Sequence, residues 1–180
     1  MLTQIGIIFD TFEETKFIMR QLIFAFIICF CITQVYFAQD VVRLDNEYRE
    51  SSKVKLNWMP TYKEALQKSR KEKKPVLIYF TGSDWCGPCK VLDKDLFHTE
   101  KFKSLADKNL ILLEVDLPRR LDIISPDKMK ENKILQEKYR VKAFPTLMIV
   151  NHRGKKIAEK KGYIMTEYYY PFLQSQINEY

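Results

Sequence analysis

Cys86 and Cys89 are separated by Gly87 and Pro88, a spacing of one helical turn. At that spacing the two sulfurs can meet in a small disulfide ring, so the chemistry on offer is a cycle between dithiol and disulfide. A helix that begins at the pair gives the two cysteines different roles. Cys86 stands at the helix N-terminus, where free backbone N–H groups and the positive end of the dipole stabilise an anion. It is expected to be the exposed, low-pKa nucleophile. Cys89, one turn in, is expected to be shielded and to resolve the mixed disulfide that Cys86 forms. Pro88 costs nothing in a first helical turn, where its missing N–H has no partner to lose.

Two plainer readings compete. A C-x-x-C pair can supply half of a zinc site, but a structural zinc takes four ligands. The chain has four cysteines and two histidines in all. Cys29 and Cys31 lie in an apolar run, and His98 and His152 form no second pair, so no metal is expected. Two inert core cysteines are the other reading. Gly and Pro between them, at a turn from strand to helix, argue against that. Nor does a chain of this size need a disulfide staple.

The elements that must position the pair follow from periodicity. Val54 to Trp58 alternates and suggests a short edge strand. Thr61-x-x-Glu64 is a capping box that opens a helix to about Lys73, with Ala65 and Leu66 inward. Pro75 to Phe80 is a continuous apolar run, read as a buried strand. Thr81 to Trp85 is a loop, and the helix from Cys86 reaches about Phe97. Thr99 starts another helix, ending near Asn109. Leu110 to Val115 is a second buried strand, and 117–127 a loop. A helix over Lys128 to Tyr139 turns Ile134 and Leu135 inward. Thr146 to Val150 and Lys155 to Tyr163 form a hairpin around Asn151–Gly154. A last helix is expected to start near Pro171. Alternating elements of this kind predict an α/β fold: a central mixed sheet, parallel strands at its centre, an antiparallel edge, and helices on both faces.

The N-terminal third reads differently. Leu22 to Ile32 is an unbroken apolar run, too short for the ~20 residues of a spanning helix and suited to a signal-peptide h-region. Arg20 supplies the basic flank, and Ala38 a small residue before a cut ahead of Gln39. Tyr36 is large for such a site, so an uncleaved anchor is the alternative. A lipidated cysteine is disfavoured, because Ile28 and Phe30 precede Cys29 and Cys31. Asp10, Glu13 and Glu14 are out of place in a signal, and Met19 is read as the true start. The organisation is therefore a signal at 1–38, a polar linker at 39–53 and a folded domain at 54–180. The chain of 180 residues carries net charge +7, from 30 basic and 23 acidic residues. The excess reads as solvated surface rather than a nucleic-acid face, which would need Lys and Arg clustered among aromatics. An acidic membrane surface or acidic partner is the remaining alternative.

Trp85-Cys86-Gly87-Pro88-Cys89 resembles the active-site motif of the thioredoxin family. The run Tyr79-Phe80-Thr81-Gly82-Ser83-Asp84-Trp85-Cys86 is similar to exported bacterial thioredoxin-like proteins, among them the C-terminal domain of DsbD-type reductases. Val115-Asp116-Leu117-Pro118-Arg119-Arg120 and Val141-Lys142-Ala143-Phe144-Pro145-Thr146 look like the same group. The resemblance covers about residues 56–165 and implies a thioredoxin-like fold. It implies that the Phe144–Pro145 bond is cis and faces the cysteines, so that Phe144 offers its N–H and C=O to an extended substrate. Without the resemblance, Pro145 is an ordinary strand-start proline. Trp85, Gly87, Pro88, Phe144 and Pro145 are then the expected substrate-binding residues, though Trp85 reads equally well as a core tryptophan. One departure stands out. The family carries a buried acid on the strand before the motif, thought to help deprotonate the second cysteine, and here Tyr79 or Phe80 takes its place.

By resemblance, the expected activity is thiol–disulfide exchange, most often as a protein-disulfide reductase outside the cytoplasm, with no cofactor beyond the Cys86–Cys89 pair. Its partners would be disulfide-containing or thiol proteins, with a membrane electron relay or a reduced small thiol as donor. Nucleic acid is not expected as a partner, and the domain is expected to be a monomer. A disulfide oxidase or isomerase is the alternative within that class. A non-catalytic binding module of the same fold is the alternative outside it.

Overall fold

The structure is a computed structural model that describes Arg20 and residues 54–180. The signal and linker expectations for 1–38 and 39–53 therefore lie, Arg20 apart, outside the described residues. The domain runs α1 (Tyr62–Glu72), β1 (Val76–Thr81), α2 (Gly87–Leu92), a π-helical turn (Asp93–Phe97), α3 (Glu100–Asn109), β2 (Ile111–Asp116), α4 (Pro126–Tyr139), β3 (Thr146–Val150), β4 (Lys156–Lys161) and, after a 3-10 turn (Thr166–Tyr168), α5 (Tyr169–Asn178).

Short polar signals start the helices. The side chains of Thr61, Thr99 and Ser125 each accept a backbone N–H, from Glu64, Phe102 and Lys128. Asn151 closes the hairpin, its side-chain oxygen accepting the amides of Arg153 and Lys155. Gly154 takes the positive φ (74°) that this turn needs. The last helix begins at Tyr169, two residues before the expected Pro171, which falls within its first turn.

The sheet order is β2-β1-β3-β4. All six residues of β1 are buried, and they alternate between two cores. Leu77 and Tyr79 face one layer with Leu92, Leu96, Phe97, Phe102, Tyr169 and Leu173. Val76, Ile78 and Phe80 face the other with Ala65, Leu135 and Val141. Helices thus cover both faces, as the unbroken apolar run requires. Each large side chain buried in this way contributes about 1.5–3 kcal/mol. In the first layer Phe97 packs against Tyr79 at 4.6 Å, Phe102 at 4.9 Å and Trp58 at 5.4 Å between ring centroids. Leu96 and Phe97, adjacent at the end of the π-helical turn, are both buried in this core.

Three expectations change. The parallel pair is β1–β2 alone, and the central pair β1–β3 is antiparallel. The helical crossover from β1 brings β2 in parallel, whereas the segment after α4 re-enters the sheet from the opposite end. Val54–Trp58 is not a strand; Trp58 makes one parallel bridge to Leu112. Ile134 is 55% exposed, because α4 buries Asn132 and Leu135, three residues apart, and Ile134 falls off that stripe.

This topology gathers one end of the sheet. Parallel β1 and β2 finish there, at Thr81 and Asp116, and antiparallel β3 begins there, at Thr146. The loop to Cys86, the 117–125 loop and Phe144–Pro145 converge at that end.

Candidate active site

Cys86 is the N-cap of α2 and Cys89 lies in its first turn, and the two are joined in a disulfide with Cα atoms 5.2 Å apart. Cys89 N–H donates to Cys86 Sγ at 3.3 Å. A negative charge on that sulfur would meet the same donor and the helix N-terminus. In the disulfide form both cysteines are covered, Cys86 at 4% exposure and Cys89 at 1%. The expectation of an exposed Cys86 is thus corrected for this form: Gly87 and Pro88, between the cysteines, are exposed, and the cysteines themselves are buried.

The loop that delivers Cys86 is held at several points. The Ser83 amide and hydroxyl donate to the two carboxylate oxygens of Asp116 at 2.8 and 2.6 Å. Asn132, from α4, donates to the Asp116 carbonyl at 2.7 Å. Asp84 accepts the amide of Arg119 at 3.1 Å and that of Arg120 at 3.0 Å. Partial desolvation lifts the Asp84 carboxyl, but the Arg120 and Arg119 amides and the Arg119 charge outweigh it and hold the group below the usual carboxylate range.

Trp85 is 36% exposed, so it forms part of the rim and is not a core tryptophan. Its indole N–H donates to the Leu117 carbonyl at 2.9 Å. Phe144 meets the indole ring edge-on at 5.5 Å. Gly82 lies directly beneath the indole, where a Cβ would collide with the ring. The Phe144–Pro145 peptide bond is cis, Pro145 is buried, and Thr146 donates its hydroxyl back to the Ala143 carbonyl at 2.8 Å. The expected residues Trp85, Gly87, Pro88, Phe144 and Pro145 therefore stand at the same end of the sheet as the cysteine pair.

Beneath the pair the floor is unusual. Tyr79, with Phe80 one of the two residues expected in place of the family's acid, donates its hydroxyl to the Cys89 carbonyl at 3.2 Å. Burial pushes this phenol above its ordinary value. The neighbouring strand residue, in register with Tyr79, is Glu114. Burial pushes the Glu114 carboxyl up to about 7; Asp116 and Asp93 add to the shift and Lys128 opposes it. Asp93, four residues after Cys89, is raised too, chiefly by burial. Sequence reasoning missed Glu114 and Asp93. A charged residue in the run Ile111-Leu112-Leu113-Glu114-Val115 was the available signal.

Residues 57–152 match the thioredoxin-like family model. The chain belongs to the thioredoxin-like family. It is 35% identical over 104 residues to a Chlamydia pneumoniae protein named disulfide bond reductase DsbH, covering 57% of this chain and 61% of that one. It is 28% identical over 100 residues to the Chlamydia pneumoniae thioredoxin-related protein DsbJ, covering 56% of this chain and 28% of that one. The match thus spans less than two thirds of either relative. A solved structure of a DsbH oxidoreductase superposes with TM-score 0.61 at 30% identity, over 68% of this chain and 85% of that chain. A Thermus thermophilus thioredoxin shares the fold, with TM-score 0.53 at 20% identity.

Proposed function

We propose that the protein is a thiol–disulfide oxidoreductase that works mainly as a protein-disulfide reductase. The observation that carries the reading is the Cys86–Cys89 disulfide at the start of α2, with Cys86 as the helix N-cap. In the reduced form the Cys86 thiolate attacks a substrate disulfide. One S–S bond breaks, a mixed disulfide forms at Cys86, and the first substrate sulfur leaves as a thiolate and takes a proton. Cys89 then loses its proton and attacks Cys86 Sγ. The internal disulfide forms, and the second substrate thiolate leaves. Two electrons pass to the substrate; Cys89 releases one proton, and solvent supplies the other as the second substrate thiolate is protonated.

Trp85, Gly87, Pro88, Phe144 and Pro145 form the rim against which the substrate chain lies. Phe144 supplies backbone hydrogen-bonding groups to an extended segment. The reducing direction is supported by the name of the DsbH relative, a disulfide bond reductase, and by Gly-Pro between the cysteines. Export through a signal that runs from Met19 to Ala38 is supported by the apolar run after Arg20. Outside the cytoplasm the pair is recharged by a membrane relay or a reduced small thiol.

Two measurements test this. With dithiothreitol as donor, the protein should accelerate insulin precipitation by disulfide reduction. Equilibration with glutathione should give a potential below about −230 mV, on the reducing side of the known range. A value near about −120 mV would make it an oxidase instead.

A further inference from the structure

We propose that Arg119 is a specificity-determining residue that favours disulfide partners carrying a carboxylate next to the attacked cysteine. The inference rests on the thiol–disulfide reading above and names the substrate class of that site.

The Arg119 guanidinium lies 5.0 Å from the centre of the Trp85 ring. Both ends of this arrangement are fixed. The indole is pinned by its bond to the Leu117 carbonyl and by its seat on Gly82. The Arg119 backbone is pinned by Asp84, the residue just before the tryptophan. The cation is therefore placed over Trp85, the residue just before Cys86, before any substrate arrives, which lowers the ordering cost of using it.

Its neighbours are engaged elsewhere. Arg120 places its guanidinium on Asp122, with bonds of 3.1 and 2.5 Å. Lys90 gives its ammonium to the Asp84 carbonyl at 3.0 Å. The Asp84 carboxylate feels the Arg119 charge but directs its oxygens to the amides of Arg119 and Arg120. Among the described residues the Arg119 guanidinium has no hydrogen bond or ion pair; its contact is the face of Trp85. A stacked guanidinium keeps its planar fork of donors, which matches the two oxygens of a carboxylate. An acidic side chain flanking a substrate cysteine would meet that fork as the cysteine reaches Cys86.

The test uses peptides that each hold one intramolecular disulfide and differ only in flanking residues: Glu, Lys or uncharged Gln. Dithiothreitol is the donor and kcat/KM is read for each. An exposed pair is worth a few-fold, so the Glu peptide should be favoured over the Lys peptide by about threefold to fivefold at low salt, and less as salt rises. Arg119→Ala should bring the ratio close to one, and Arg119→Glu should invert it. Lys71→Ala makes the same change in net charge far along the sequence, on α1, and should leave the ratio as in the parent. Three results would overturn the proposal: equal rates for both charged peptides in the parent, an unchanged ratio in both Arg119 variants, or an equal fall in Lys71→Ala. If Arg119 only props up Trp85, Arg119→Ala slows all three peptides alike and the ratio persists, which also overturns it. Failure to reduce even the Gln peptide would sink the exchange reading itself, and this inference with it.

Discussion

The Tyr79 hydroxyl, rising from the buried floor of the sheet, donates to the carbonyl oxygen of Cys89 at 3.2 Å. It ties the first turn of the cysteine helix to the central strand. The same carbonyl also receives the Asp93 amide, as part of the close of that helix. Tyr79→Phe therefore leaves the carbonyl with one partner and removes a buried hydroxyl. The expected loss is about 0.5–1.5 kcal/mol, the net worth of a typical hydrogen bond. Urea unfolding of the oxidised protein measures it. No change in midpoint would mean that the bond contributes nothing to holding the turn.

Glu114 should make stability fall as pH rises through neutrality. Its folded carboxyl titrates at about 7, against an ordinary 4.5, because burial disfavours the charge. Between these values the folded state holds the proton that the unfolded state has lost. Stability contributed by this group is thus complete below about 4.5 and gone above about 7, a difference of up to about 3 kcal/mol. Asp93, raised for the same reason, adds in the same direction. Glu114→Gln should flatten the profile between pH 5 and 8. A slope as steep as the parent's in that variant would show that other groups carry it.

Gly82→Ala should displace Trp85, since the added methyl meets the indole face. The ring would lose its bond to Leu117 and its edge contact with Phe144. A loss of about 1–3 kcal/mol is expected from the overpacking, with red-shifted tryptophan fluorescence as the ring enters water. Trp58 packs against Tyr79 and Phe97 and serves as an internal reference that should not shift. Unchanged emission would mean that the loop yields without moving the ring.

In the reduced protein at neutral pH, iodoacetamide should alkylate Cys86 before Cys89. Cys86 is the helix N-cap and has the Cys89 amide directed at its sulfur. Peptide mapping after brief labelling reads the order. Labelling of Cys89 first would reverse the two roles.

The cysteine motif and its strand-to-helix setting were legible because they are local: a buried apolar run, then two cysteines one turn apart. The caps at Thr61 and Thr99 were legible for the same reason. What escaped was set by pairing between distant segments. Whether β3 runs parallel or antiparallel to β1 depends on the end from which the chain re-enters the sheet, and no periodicity records that. Trp58 alternates like a strand, yet the segment gains only one bridge to Leu112. By resemblance Tyr79 or Phe80 replaces the family's acid, but the register that sets Glu114 beside Tyr79 lies in the β1–β2 pairing. The family resemblance pointed to the Asp116–Arg120 segment without saying that Asp84 and Asp116 would tie down the loop around Trp85.

The claim that Cys86 attacks and Cys89 resolves is tested most directly by trapping. Cys89→Ser, reduced and then mixed with an oxidised protein substrate, should stall as a covalent complex. Non-reducing electrophoresis and mass spectrometry should find one disulfide, through Cys86, which added dithiothreitol releases. Cys86→Ser in parallel should trap little or nothing. Turnover of insulin by Cys89→Ser at the parent rate, or a trapped bond that runs through another residue, would contradict the two-cysteine exchange on which the account depends.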